Sequence, residues 1–345
     1  MNEIGSEFAF EKISKDNGVK MPTDAIDYAF VFSGRTAIDA ILENEPKIKK
    51  VMVPSYCCGS MQEPFLKRGI EISFYSVNYK NGISVELEND EETDALVWCN
   101  YFGYHMKMPD FSKFINRGGI VIEDITHSFF SKIQYNKQSS YLVASIRKWL
   151  PIMCGGYCAS LTKPLTYKPY KMPDREFLEL KKKAMTCKRQ YLKKNYIEDK
   201  EKFLKLFTKS NLLLSEKYSQ VTIDEESLHI INNIDAESIY NKRIKNAKIL
   251  HDELKDCEYI KLLFDKDMMD CPLFVPVIIN NDLKEKLRNY LISKKIYCPI
   301  HWPKPNLDCH SNLYDIELSL VCDQRYNSDD MLRIVKTIKE FEKKI

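Results

Sequence analysis

No window of the 345-residue sequence approaches the roughly 18 consecutive apolar residues that a membrane-crossing helix requires. No charge sign dominates either: 52 basic and 49 acidic residues leave a net charge of +3, which gives no general electrostatic case for nucleic acid. The opening stretch MNEIGSEFAFEKISKDNG has no apolar core of a secretory leader. Internal repeats and low-complexity linkers are missing. The eleven cysteines show no zinc-finger spacing; Cys57 with Cys58, and Cys154 with Cys158, are the close pairs. An odd count with several members in apolar runs argues for reduced thiols packed as small hydrophobes. The expectation is a cytoplasmic protein without a bound metal, a membrane partner or a nucleic-acid partner.

What remains is an ordinary globular composition, 44% hydrophobic and 29% charged. At about 150 residues per domain, the length suggests two domains. Apolar runs alternate with amphipathic stretches through the first half. YAFVF stops at Ser33-Gly34 and is followed by helical spacing at Ala37, Ile38, Ile41 and Leu42. VMVPSYCC, ISFYSVN, ALVWCNYFG and GGIVIEDITHS read as strands that end in polar residues, with a helix over MQEPFLKRG closed by Gly69. This alternation predicts an α/β fold, three-layered, with a mostly parallel mixed sheet. In such sheets ligands bind beyond the carboxyl ends of the strands, where Ser33, Tyr56, Asn100 and Asp124 fall.

The Lys- and Glu-rich run from Asp174 to Ser219 reads as the solvated face of long helices. From residue 233 a periodic helix, the strand LFVPVIIN, a helix, the short strand IYCPI and a final amphipathic helix predict a smaller α+β domain. The division expected is 1–232 for the large domain and 233–345 for the small one. A short helix is expected near Glu7–Ile13.

Three chemistry-bearing features occur in chain order. Ser33-Gly34-Arg35-Thr36 opens a helix, whose free N–H groups and dipole suit an anion, although Ser33 as an ordinary N-cap explains the same residues. Asp124 ends an apolar run, and Lys148 follows a second one, ahead of Gly155-Gly156. A lysine beside a cleft is a nucleophile once partly desolvated, and a carboxylate can keep a pyridine nitrogen protonated. Together these suit pyridoxal 5'-phosphate (PLP).

At this point the sequence resembles the DegT/StrS sugar aminotransferases, within the PLP-dependent fold type I aminotransferases. The residues that carry the resemblance are SGRTAI (33–38), VPSYCC (53–58), NYFG (100–103), VIEDITHS (121–128), SIRKWLP (145–151) with Gly155-Gly156, and RIKNAKIL (243–250). The resemblance implies Lys148 as the Schiff-base lysine and proton shuttle, and Asp124 on the pyridine nitrogen. It implies His127 beside the ring near its 3-hydroxyl, Gly34 and Arg35 as amide donors to the phosphate, and Ser145 as a hydroxyl donor. It also implies an amino acid donor, a keto sugar or nucleotide sugar as acceptor, and a homodimer with shared active sites.

The chain departs from that pattern in places. Cys58 stands where many relatives carry the aromatic residue that stacks on the ring, leaving Tyr56 or no residue for that role. Arg35 stands where many carry threonine, and Thr36 comes one position late. CPIHWP (298–303) resembles a segment at the active-site mouth, which makes His301 and Trp302 substrate candidates beside a packing role. Arg325 is a candidate for a substrate anion, and Arg147 has no assigned role. Two alternatives stay open: a PLP lyase or dehydrase, and a non-catalytic or regulatory PLP-binding protein on the same fold.

Overall fold

The computed structural model describes residues 3–11, 18, 24–87, 92–132, 135–305, 307 and 309–345. Its strands are β1 (Ile4–Gly5), β2 (Asp27–Val31), β3 (Lys50–Pro54), β4 (Glu71–Tyr79), β5 (Ile83–Glu86), β6 (Ala95–Cys99), β7 (Ile120–Asp124), β8 (Tyr141–Ala144) and β9 (Gly156–Ser160). The C-terminal half adds β10 (Ile260–Leu262), β11 (Val275–Ile279), β12 (Ile296–Tyr297) and β13 (Glu317–Leu320). The helices are α1 (Gly34–Asn44), α2 (Gly59–Lys67), α3 (Ser112–Asn116), α4 (Arg175–Lys194), α5 (Ile197–Glu216), α6 (Glu225–Asn233), α7 (Ala236–Leu254), α8 (Asn281–Ser293), α9 (Leu313–Ile316) and α10 (Ser328–Glu342).

The main sheet has eight strands in the order β2-β9-β8-β7-β6-β3-β4-β5. Strands β8, β7, β6, β3 and β4 pair in parallel, whereas β9 and β5 pair antiparallel to their neighbours. Every residue of β6, β8 and β9 is buried. That explains why these strands read as unbroken apolar runs rather than alternating ones: both faces are covered. The α/β architecture with a mostly parallel mixed sheet is therefore as the sequence predicts.

A three-stranded antiparallel sheet, β10-β11-β13, forms the second layer of β structure. With α7, α8 and α10 it closes a core that includes Leu250, Val277, Leu287, Leu318 and Ile338. Ile4 joins that core because β1 pairs in parallel with β12, Ile4 against Ile296. The short helix expected near Glu7–Ile13 does not form over residues 7–11, and residues 12–13 lie outside the described residues. Among the described residues, no helix is long and apolar enough to cross a membrane.

The Lys- and Glu-rich run forms α4 and α5, with exposed ion pairs such as Lys209–Glu176 and Lys217–Asp174. Two of its lysines depart from the expected solvated face. Lys181 and Lys188 are buried under the N-terminal segment, where Lys181 meets the Glu7 carboxylate at 3.3 Å and Lys188 donates to the Glu7 carbonyl. The helical period places them inward, and the segment they cover is too far away in sequence for a local pattern to reveal it.

Candidate active site

β7 ends on Asp124, and the chain then doubles back through a tight turn. The Thr126 amide donates to Asp124 Oδ1 at 2.8 Å, the geometry in which a short carboxylate holds the backbone two residues on. Burial pushes the Asp124 carboxyl above the usual carboxylate range, opposed by the bonds from Thr126 and by the nearby charge of Lys148. Lys148 ends a 3₁₀ turn, Ile146–Lys148, that follows β8. The strand β8 lies beside β7 in parallel, so the carboxylate and the amine leave adjacent strand ends on the same side of the sheet.

Thr126 also fixes the lysine turn. Its Oγ1 accepts from the Ser145 amide at 2.9 Å, and its carbonyl accepts from Trp149 Nε1 at 2.6 Å. Trp149 is covered in turn by the Arg243 guanidinium, 4.3 Å from the ring centroid, which donates to the Pro272 and Leu273 carbonyls. The RIKNAKIL motif thus supports the segment around Lys148 from behind through Arg243. Asn246 ties α7 to the carbonyls of Cys322 and Asp323.

A cavity lies between these parts. Asp124, Lys148 and Ser145 line one side, and Ser33, Gly34 and Arg35 at the start of α1 line another. The Ser33 hydroxyl is engaged as the N-cap, accepting from the Thr36 amide at 3.2 Å. The N–H groups of Gly34 and Arg35 belong to the first helical turn, which has no intrahelical acceptor for them. Gly34 lies close to the lysine turn, since a Cβ there would meet the Ser145 Cβ at 3.3 Å. Gly156 is more constrained still, because a Cβ would meet the Ser33 carbonyl at 2.2 Å. The Arg35 Nε donates to Glu63 Oε2 at 2.5 Å.

Cys58 lines the cavity as well, with its thiol 2.9 Å from the Ser60 hydroxyl. Tyr56 does not. It is fully buried, stacks near Tyr101 at 5.7 Å, lies 5.0 Å from Trp302, and donates its hydroxyl to the His301 carbonyl. Asn100 also turns aside from the cavity and donates to Glu123 at 2.6 Å.

His127 packs next to the cavity in an aromatic box. Its Nδ1 accepts from the Phe102 amide at 3.1 Å, so the proton of the neutral ring sits on Nε2. Burial, Lys148 and His301 all keep it from charging. Trp302 stacks on His127 at 5.6 Å and 24°, and its ring centroid is 5.9 Å from Lys148 Nζ. His301 lies 5.7 Å from His127. The structure therefore brings the CPIHWP segment to Lys148 from the far end of the sequence.

Arg325 is elsewhere. It forms a bidentate pair with Asp323, at 2.9 and 2.7 Å, and donates to the Ser6 and Glu7 carbonyls at 3.1 Å each. Four of its N–H groups are used in these bonds, and it does not line the cavity, so it is not placed for the substrate anion expected of it.

Sequence reasoning missed two contributors, Thr126 and Leu214 of α5, and left Arg147 without a role. The first had a usable signal, its position two residues after a strand-ending aspartate. Leu214 lines the cavity from within the Lys-rich run and had no signal. Arg147 lines it with a buried Nε that has no hydrogen-bond partner.

The residues fit PLP. The cavity brings together the groups that such a cofactor needs. It offers an amine, an opposed carboxylate and a helix N-terminus. No family model matches the chain, and no curated protein matches its sequence. Solved structures do match. The Helicobacter pylori aminotransferase PseC, involved in pseudoaminic acid biosynthesis, aligns over 100% of both chains at a TM-score of 0.63 and 15% identity. A DegT DnrJ EryC1 StrS aminotransferase from Brucella abortus aligns over 92% of this chain and 86% of its own, at 0.59 and 15%. The putative sugar aminotransferase Spr1654 from Streptococcus pneumoniae, in its PLP form, aligns over 98% and 99%, at 0.60 and 10%. The chain has the fold of the DegT/StrS-type sugar aminotransferases.

Proposed function

We propose that the protein is a PLP-dependent aminotransferase that moves an amino group from an amino acid donor to a keto sugar or nucleotide sugar. The observation that carries this is the single cavity that Asp124, Lys148 and the α1 N-terminus share. The first-turn amides of Gly34 and Arg35, with the Ser145 hydroxyl, would hold the phosphate, since a helix N-terminus attracts anions. Asp124 would face the ring nitrogen, and a cation there would draw its pKa back down from the raised value. Bound PLP supplies an electron sink for the electrons released when a proton leaves the amino acid. Lys148 would carry the cofactor between turnovers and move that proton as a general base and acid. His127, held neutral with Nε2–H, would donate a hydrogen bond beside the ring.

Names of the structural relatives as sugar aminotransferases support the acceptor class, and the PLP form of one supports the cofactor. A homodimer that completes each site, and a cytoplasmic location, belong to the same proposal. The test is to add PLP and record its visible absorption, then reduce with borohydride and map the modified residue. The expected result is a bound-cofactor band, label on Lys148, and loss of both in Lys148→Ala. A band that shifts with at least one amino acid donor marks a catalyst. A band that no donor shifts would favour the non-catalytic alternative, and no band at all would overturn the proposal.

A further inference from the structure

β13 carries two polar residues, Glu317 and Ser319, on one face of a strand that is otherwise core. Both are fully buried. Ser319 Oγ lies 2.5 Å from Glu317 Oε1 and 2.7 Å from His301 Nδ1, so the three side chains form one continuous chain of hydrogen bonds. Glu317 Oε2 lies 3.3 Å from the Tyr56 hydroxyl. A hydroxyl has one proton, so Ser319 can donate to only one of its two partners at a time.

That restriction gives the chain two states. With Glu317 ionised, Ser319 donates to the carboxylate, and His301 must then donate from Nδ1. With Glu317 protonated, the carboxylic acid donates to Ser319, Ser319 donates to His301 Nδ1, and the ring proton is on Nε2. The geometry points to a proton relay, Glu317–Ser319–His301, that opens at the aromatic box beside Lys148 and makes Glu317 and Ser319 positioning residues for the chemistry there. This rests on the aminotransferase reading for its role, though not for its existence.

The proton count closes. A proton taken up at His301 Nε2 releases the one on Nδ1 to Ser319 Oγ, and the hydroxyl proton passes to Glu317 Oε1. One N–H and one O–H bond form on the ring and the carboxyl, one N–H bond breaks, and the serine exchanges one proton for another. The proton ends on a neutral acid, with no imidazolium formed. This matters because His301 sits among Phe102, Phe274 and Trp302, and burial and the Lys148 charge keep its ring from charging. The groups facing His301 are Lys148 and His127. Those facing Glu317 are Ser319 on its own strand, Tyr56, the buried Cys298 thiol, and Lys284 of α8, whose amine donates to the Tyr314 carbonyl at 2.6 Å. Burial raises the Glu317 carboxyl to about 8, which places the exchange between the two states in the working range of an enzyme.

The experiment is ¹⁵N-histidine NMR on the full chain, with His301 assigned by its loss in His301→Gln. Expected is a change of His301 tautomer with a midpoint near pH 8, absent from Ser319→Ala and from Glu317→Gln. The rate at which an amino donor converts the bound cofactor should fall at least about tenfold in both variants and lose its inflection at the same pH, with PLP affinity unchanged. A single His301 tautomer throughout, or wild-type titration in both variants, would overturn the relay. If no donor reacts at all, the aminotransferase reading falls while the NMR titration still decides the relay.

Discussion

The Thr126 amide and Asp124 Oδ1 are 2.8 Å apart, so the carboxylate at the end of β7 is oriented by its own chain before any ligand arrives. The same threonine holds the Ser145 amide through Oγ1. One residue therefore fixes the distance between the two strand ends that carry the site.

Thr126→Val tests this link. Valine keeps the amide to Asp124 and the side-chain shape, but removes the hydroxyl's bond to the Asp124 carboxylate and the acceptor for the buried Ser145 amide. An orphaned buried donor costs about 1–3 kcal/mol. Thermal or denaturant unfolding should show a loss in that range, and titration with PLP should show weaker binding, because the lysine turn is no longer tied to β7.

Asp124→Asn separates holding the cofactor from activating it. The amide side chain has nearly the same shape and still accepts from Thr126, so PLP should bind. A neutral amide does not keep a ring nitrogen protonated, and the electron sink is lost. Turnover of an amino donor, followed by the change in cofactor absorbance, should fall on the order of a hundredfold or more. An unchanged rate would remove Asp124 from the chemistry.

The legible parts of this molecule were those encoded locally. The apolar runs of β6 to β8, the N-cap at Ser33, the ends of strands at Asp124 and Lys148, and the alternation that implies an α/β fold all lie within short windows. The illegible parts depend on pairs far apart in sequence. Tyr56 is at a strand end, as the pattern implies, yet its hydroxyl faces His301, 245 residues on, rather than the cavity. Arg325 sits before the last helix and has the look of an anion ligand, but Ser6 and Glu7 lie over it. β13 itself was unread, because Glu317 and Ser319 break the apolar pattern that marks a buried strand.

Arg325→Ala should therefore act on stability, not on substrate. It leaves the buried Asp323 carboxylate without its ion pair and frees the Ser6 carbonyl, while the Glu7 carbonyl keeps Lys188 as its donor. Breaking such a pair costs on the order of 3 kcal/mol. Unfolding should show that loss, with residues near the N-terminus exchanging amide hydrogens faster. The KM for an amino donor should stay within about twofold of wild type, since the guanidinium does not reach the cavity. A selective rise in KM without loss of stability would restore the substrate role.

Lys188 gives a pH-dependent prediction. Burial, with the nearby Arg325 charge, lowers its amine to about 7 from 10.5. Between those values the folded protein binds fewer protons than the unfolded chain, so this residue's contribution makes stability rise with pH. Below pH 7 the amine is charged in both states and the folded protein bears the full penalty. Lys188→Met keeps the length of the side chain and removes the charge. The Glu7 carbonyl that it leaves still accepts from Arg325 at 3.1 Å. Chemical denaturation of the two proteins should show the variant more stable than wild type in acid, by about 1 kcal/mol or more. The difference should shrink steadily as pH rises from 7 toward 10.5. A variant less stable than wild type at acidic pH would show that the charged amine is favourable where it is buried.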